Sequence, residues 1–376
     1  MLYSAIFNFN NALVRSTAFE YTEVNMNRQS EYLIRIPEIL NTKEVVNFSW
    51  YLFSIKANLR YRRYILDFSK AKRAFPFGIL FLGKLLRNFI KMANDEYDDI
   101  EFVCRYKDSY DDIESYLQHI GFFRYIGVTL GREPGEAHGS NYYIPIRVFS
   151  KKILSSEADK KKKHIGDVII DESESIADIL DSAYEHLDED NVEFLKRAIA
   201  YSSREIMRNS IEHSQDEEVA IFVQSFPRLK RVDIAIMDNG VGIYSTLAEK
   251  YKLSSGTTAI ETALLPGVSR TDTDIKTNDD WQNSGFGLYI VSELCKELNN
   301  SNLYIASSDA TYSISKTGIY TKDSQVWAPG TTTLISLGSD NDCYFSNILE
   351  QIVQRGESIA KSSNHNATAS KMSKKA

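Results

Sequence analysis

YSSREIMRNSIEHS, Tyr201–Ser214, carries the spacing of a helix but not the usual division of its faces. Polar side chains of a surface helix normally stand opposite the apolar stripe. Here Glu205 and Asn209 lie one turn apart, on one face and beside the stripe. A Glu212–His213 pair closes the segment. Two readings stay open for this stretch alone: a solvated polar face, or the wall of a site.

Working outward, the helical pattern runs from about Glu189 to His213 and is followed by two strands, EVAIFVQSF and RVDIAIMD. Turn-rich sequence comes next, then a helix starting at Gly287 and two late strands, NLYIASSD and TTTLISL. Upstream, YLIRIP, YRRYILDFS and IEFVCRY read as strands. They alternate with helices at Thr42 to about Leu59, at Phe77 to about Ala93, and in SYDDIESYLQHIGFF, the pattern of a small α/β domain. NYYIPIRVFS is a further short strand. The lysine-rich KKILSSEADKKKKHIGD that follows reads as an exposed connection, and the polar tail after Gly356 as disordered.

The 376 residues leave room for two domains, and 43% hydrophobic with 25% charged residues is globular composition. A net charge of -7 gives no general drive towards phosphate backbones, so nucleic-acid binding is not expected. The basic-aromatic RYRRY at Arg60–Tyr64 reads as the charged start of a strand. Cys104, Cys295 and Cys343 are scattered without metal-type spacing, which suits a reducing compartment. The amino terminus makes a poor signal peptide, and no window approaches the roughly 20 apolar residues of a membrane span. A cytoplasmic protein without membrane contact is the expectation.

Three motifs carry candidate chemistry. IMDNGVGI ends a strand on the carboxylate of Asp238 and continues through Gly240 and Gly242. Asn239-Gly240 is also a hairpin-turn signal, so both a turn and a close ligand approach fit. NSGFGLYIV places Gly285, Phe286, Gly287 and Leu288 at a helix start, where unpaired N–H groups and the helix dipole suit phosphate. It lacks a directly preceding strand and a third glycine, which removes the dinucleotide-binding reading. PGTTTLISL opens a strand with hydroxyl-bearing Thr331.

In their order and spacing these pieces resemble the GHKL superfamily of gyrase, heat-shock chaperone, histidine kinase and MutL. REIMRNSIEH looks like its N box, and DNGVG and GFGL like its glycine boxes, over about residues 168–340. The resemblance implies an α/β sandwich of a mixed sheet covered by helices, binding ATP and Mg²⁺. Asn209 would ligate the metal and Asp238 would accept the adenine amino group. Gly240 and Gly242 would admit the ring, while Gly285 and Gly287, with Phe286 and Leu288, would form the phosphate loop. Thr331 would support the adenine end. TLAEKYKLSSGTTAIETALLPGVSRTDTDIKTNDDWQ would be the nucleotide lid. Glu205 matches the glutamate of members that hydrolyse ATP and of anti-sigma serine kinases; as a base it would supply about 10²–10⁴ in rate. His213 and His186 do not resemble histidine-kinase phosphoacceptors.

YILDFSKAKRAFPFGILFLGKLL resembles a STAS domain, with a strand ending at Asp67, a loop and a helix. Pro76 stands where phosphorylatable members carry serine, and Ser69 lies upstream, so self-phosphorylation is not expected. The implied organisation is an amino-terminal extension at 1–30, a STAS-like α/β domain at 31–150 and a lysine-rich connection at 151–167. The GHKL ATP-binding domain occupies 168–340, and a C-terminal helix with a disordered tail occupies 341–376. The implied activity is an ATPase coupled to a regulatory, partner-binding amino-terminal domain, with a homodimer as the family's habitual assembly. Two alternatives stand beside it: an anti-sigma-type serine kinase acting on a separate protein, and a non-hydrolysing nucleotide-gated module.

Overall fold

A parallel sheet and an antiparallel sheet organise the two units of the chain, making the protein a mixed α/β structure. The computed structural model describes residues 2–6, 29–56, 61–107, 113–178, 187–213, 218–269, 285–338 and 348–363. His186, the tail from residue 364 and the distal part of the expected lid, 270–282, lie outside them, as do the side chains of Glu212 and His213.

The first unit comprises residues up to Ala74 together with Leu82–Ala137. Its strands are β1 (Leu2–Ile6), β2 (Gln29–Arg35), β3 (Ile39–Leu40), β4 (Tyr61–Asp67), β5 (Arg73–Ala74) and β6 (Glu101–Lys107). Its helices are α1 (Thr42–Lys56), α2 (Pro76–Glu96) from Leu82 onwards, α3 (Ile113–His119) and α4 (Phe122–Tyr125). The main sheet runs β1-β6-β4-β2, with β2, β4 and β6 parallel and β1 antiparallel at the edge. The amino-terminal extension therefore contributes a strand. Tyr64 anchors the core, stacking on Phe102 at 5.5 Å and meeting Phe89 edge-on at 5.5 Å. Arg63, in the basic-aromatic stretch, bonds Glu101 at 2.6 Å and Glu31 at 2.9 Å, which spends its charge within the sheet. Pro76 opens α2, where its missing N–H costs nothing.

The second unit comprises Phe75–Phe81 and everything from His138 onwards. It begins with β7 (Tyr143–Ser150), α5 (Lys151–Lys161), α6 (Ile165–Asp178) and α7 (Glu189–His213), then β8 (Glu218–Phe226) and β9 (Arg231–Asp238). There follow α8 (Gly242–Tyr251), α9 (Gly256–Ala263), α10 (Gly287–Glu297), β10 (Asn302–Ser315), β11 (Gly318–Gly338) and α11 (Ile348–Ser362). The sheet is antiparallel throughout, in the order β10-β11-β9-β8-β7, where a mixed sheet was expected. One face of β9 (Val232, Ile234 and Ile236) packs into a core shared with Ile199, Ile206 and Met207 of α7 and Ile290, Val291 and Leu294 of α10. Alternation along β9 sends these side chains to the helices and delivers Asp238 at the strand's end on the same face.

Several expectations are corrected. β7 pairs with β8, Val148 opposite Ala220, so the strand assigned to the first domain through residue 150 belongs to the second sheet. The lysine-rich connection is helix α5, capped by Ser150 accepting from Ile153 N at 3.1 Å; Leu154 and Ala158 are buried, with the lysines on the remaining faces. The turn-rich stretch after Asp238 holds α8 and α9, the latter started by a Ser255–Thr258 capping box. Asn239-Gly240 leads into α8 rather than a hairpin. Residues after Gly356 continue α11 to Ser362, because Ile352, Val353, Gly356 and Ala360 form one buried stripe.

Candidate functional site

One cleft of about 850 Å³, its open mouth included, lies at the end of β9 beside Thr331 and Thr333 of β11. It gathers Asn209, Asp238, Gly242, Gly285, Gly287, Leu288 and Thr331 from four separate stretches of the chain.

Asp238 is buried at the end of β9, opposite Thr331 in the ladder. Its Oδ1 accepts from Gly240 N at 2.9 Å and from Thr331 N at 3.2 Å. The two bonds fix the plane of a carboxylate that lines the cleft. Gly240 thus acts through Asp238 and is not itself a wall residue. Beside it, Ser307 Oγ donates to Gly330 O at 3.0 Å and accepts from Ile243 N at 2.9 Å. This hydroxyl ties the first turn of α8 to the start of the β11 segment that carries Thr331. Gly242 has φ +80, and a Cβ there would sit 2.8 Å from Ser308 Oγ, so the turn out of β9 requires glycine.

Also lining the cleft, Gly285 precedes α10 and Gly287 opens it, in the manner of an anion site. Phe286 occupies the N-cap position and makes no side-chain cap bond, and a helix start of this kind favours anions through its backbone N–H groups. Phe286 itself is fully buried and faces away from the cleft, whereas Leu288 lines it.

α7 supplies Ile206, Asn209 and Ser210 to the wall. Glu205 does not join them. It is only 2% exposed, and its Oε1 accepts from Arg204 Nε and Nη2 at 3.3 and 3.1 Å, its Oε2 from Arg208 Nη2 at 2.8 Å. A Cβ at Gly287 would fall 2.2 Å from Oε2, so the carboxylate lies directly behind the glycine loop. Arg204 also covers the ring of Tyr201 at 4.9 Å. Two guanidinium groups thus hold one buried carboxylate directly behind the glycine loop.

Sequence reasoning missed Ile243, Thr246 and Leu247 on α8, Ile305 on β10, Thr333 on β11, and Ala263, Val268 and Ser269. The period-two partner of Thr331 was available as a signal for Thr333, and helical spacing linked Ile243, Thr246 and Leu247. Five of these residues, Thr246, Leu247, Ala263, Val268 and Ser269, sit in the segment expected to be the lid and line the cleft. Lys250 Nζ and Tyr251 OH both donate to Ser269 O, at 3.0 and 3.2 Å, and hold its described end.

The residues suit a nucleotide. Apolar Ile206, Ile243, Leu247 and Ile305 offer faces to a flat ring near the oriented Asp238 carboxylate, with an anion-favouring loop in the same cleft. No group of three His, Cys, Asp or Glu side chains converges on a metal position among the described residues. A hard cation such as Mg²⁺ fits here with oxygen ligands shared between Asn209 and phosphate. Among the described residues, no helix is long and apolar enough to cross a membrane. Comparison with family models, with curated proteins and with solved structures returns no match for this chain.

Proposed function

We propose that the second unit is a Mg²⁺-dependent ATP-binding domain of the GHKL type. The observation that carries the reading is convergence. An N-box asparagine, a strand-end aspartate, a glycine loop at a helix start and a threonine within β11, far apart in sequence, line one cleft. In this reading Asp238 accepts the adenine amino group and Thr331 lies beside it. Asn209 provides the protein's oxygen to Mg²⁺, and the α10 N-terminus takes the phosphates. The bound cation offsets phosphate charge; the chain's own residues bind and orient the nucleotide. The first unit is read as a STAS-like regulatory or partner-binding domain, supported by its parallel β2-β4-β6 sheet and by α2 following β4 after a loop. Pro76 at the acceptor position offers no hydroxyl.

Hydrolysis is assigned to Glu205 as general base. The carboxylate is held by two arginines behind Gly287 and does not line the cleft, so turnover requires that at least one guanidinium release it towards the nucleotide. The same ion pairs favour a second reading, a nucleotide-gated binding module with negligible turnover. Mg²⁺-ATP turnover by wild type and Glu205→Ala, with products resolved as free phosphate or phosphoprotein, separates the readings. The ATPase reading expects free phosphate that the substitution abolishes while ATP binding persists. Label on a co-purified protein would indicate a serine kinase instead. Binding without turnover would leave the gated module.

A further inference from the structure

The C-terminal helix α11 meets α10 through a notch. Gly356 is the notch: a Cβ there would lie 2.5 Å from Tyr289 Cε1 and 3.1 Å from Phe286 Cε1. Phe286 is the residue between the two glycines of the candidate phosphate loop. It is wholly buried and meets Tyr289 edge-on at 6.4 Å. The neighbouring Arg355 reaches along α10 to Glu293 at 3.0 Å and to Glu297 at 3.3 Å. α11 is thus fastened to α10 by charge and seated by shape against the ring that anchors the glycine loop.

We infer that α11 positions the phosphate loop, with Gly356 as the positioning residue acting through Phe286. The inference rests on the nucleotide reading above and extends it: the C-terminal helix sets affinity for the phosphate end of the ligand and not for its base. Packed interiors transmit displacement rather than absorb it. A ring pushed from the Gly356 notch moves the peptide planes on both sides of Phe286, between the two glycines that line the cleft. Asp238 and Thr331 stand on a different part of the fold and keep the adenine end in place.

The test is calorimetric titration of the full chain with Mg²⁺-ATP and, separately, with adenosine. Gly356→Ala is expected to weaken ATP roughly ten- to a hundredfold, the scale of a displacement of up to 1 Å in a binding geometry. Adenosine binding stays unchanged. Adding Tyr289→Leu, which clears the atom nearest the new methyl, restores most of the ATP affinity. A purely structural role would weaken both ligands together, and that result overturns the inference, as does unaltered ATP affinity. Should Gly356→Ala not fold, Arg355→Ala decides on its own, because it removes a half-exposed side chain. It is expected to weaken ATP severalfold with adenosine unaffected, and equal effects on the two ligands overturn the inference. A wild-type chain that binds neither ligand refutes the nucleotide reading itself, and the inference falls with it.

Discussion

Gly287→Ala probes the placement of Glu205 most sharply. The new methyl would sit 2.2 Å from Glu205 Oε2 and 3.0 Å from its Cδ. Relief to about 3.5 Å requires the carboxylate to retreat by roughly 1 Å. Arg204 and Arg208 hold it on the other side, at 3.1 and 2.8 Å. Overpacking of this kind costs about 1–3 kcal/mol. Stretching buried hydrogen bonds to a charged group adds to it, from a total of about 1.5–3 kcal/mol for such a bond. A loss near 3 kcal/mol corresponds to a fall of roughly 6–12 °C in unfolding temperature for a unit of this size. The assay is differential scanning calorimetry in two backgrounds, wild type and Glu205→Ala. With the carboxylate gone the methyl has room, so Gly287→Ala should cost at least about 1 kcal/mol less in the second background. Equal costs in the two backgrounds would refute the contact between Glu205 and the glycine loop.

Two further outcomes follow from the same geometry. Asn209→Ala should remove most of the difference between ATP affinities measured with Mg²⁺ and with a chelator, while leaving adenosine affinity intact; unaltered metal dependence would remove Asn209 from the metal site. Burial, assisted by the nearby Glu293 carboxylate, pushes the Tyr289 phenol from its ordinary value of 10 up to about 12. Its folded value is raised, so its contribution to stability is complete below about pH 10 and is lost as pH climbs towards about 12. Tyr289→Phe should flatten that alkaline decline in a denaturant series run at stepped pH, and an unchanged slope would contradict it.

Much of the second unit was legible from sequence because its elements are strongly patterned. β8 and β9 alternate or run apolar over their full lengths, and α7 and the start of α10 carry a clear helical period. Weakly patterned pieces were misread. α5 has only Leu154 and Ala158 buried among its lysines, too little to outweigh charge in a sequence window. α8 and α9 are short and rich in residues that also favour loops. The candidate site was legible in part: the polar and glycine motifs pointed to the cleft, and its apolar wall did not stand out from core. Glu205 shows the limit most plainly. Arg204 and Arg208 stand in the same stretch, three residues apart at most from Glu205 in sequence, and helical spacing allowed an ion pair. That Gly287 would seal the carboxylate away from the cleft depends on α10, about eighty positions further along the chain, and no local pattern carries it.

The central claim is that this cleft recognises the adenine of ATP through Asp238. Calorimetric titration of wild type and Asp238→Asn with Mg²⁺-ATP and Mg²⁺-GTP tests it directly, since asparagine can still accept from Gly240 N and Thr331 N. The account predicts one ATP per chain, a preference for ATP over GTP, and a loss of at least about tenfold in ATP affinity on substitution, the worth of a hydrogen bond to a charged group. A wild-type chain that does not bind ATP, or an Asp238→Asn chain that binds it equally well with its preference over GTP unchanged, would contradict it.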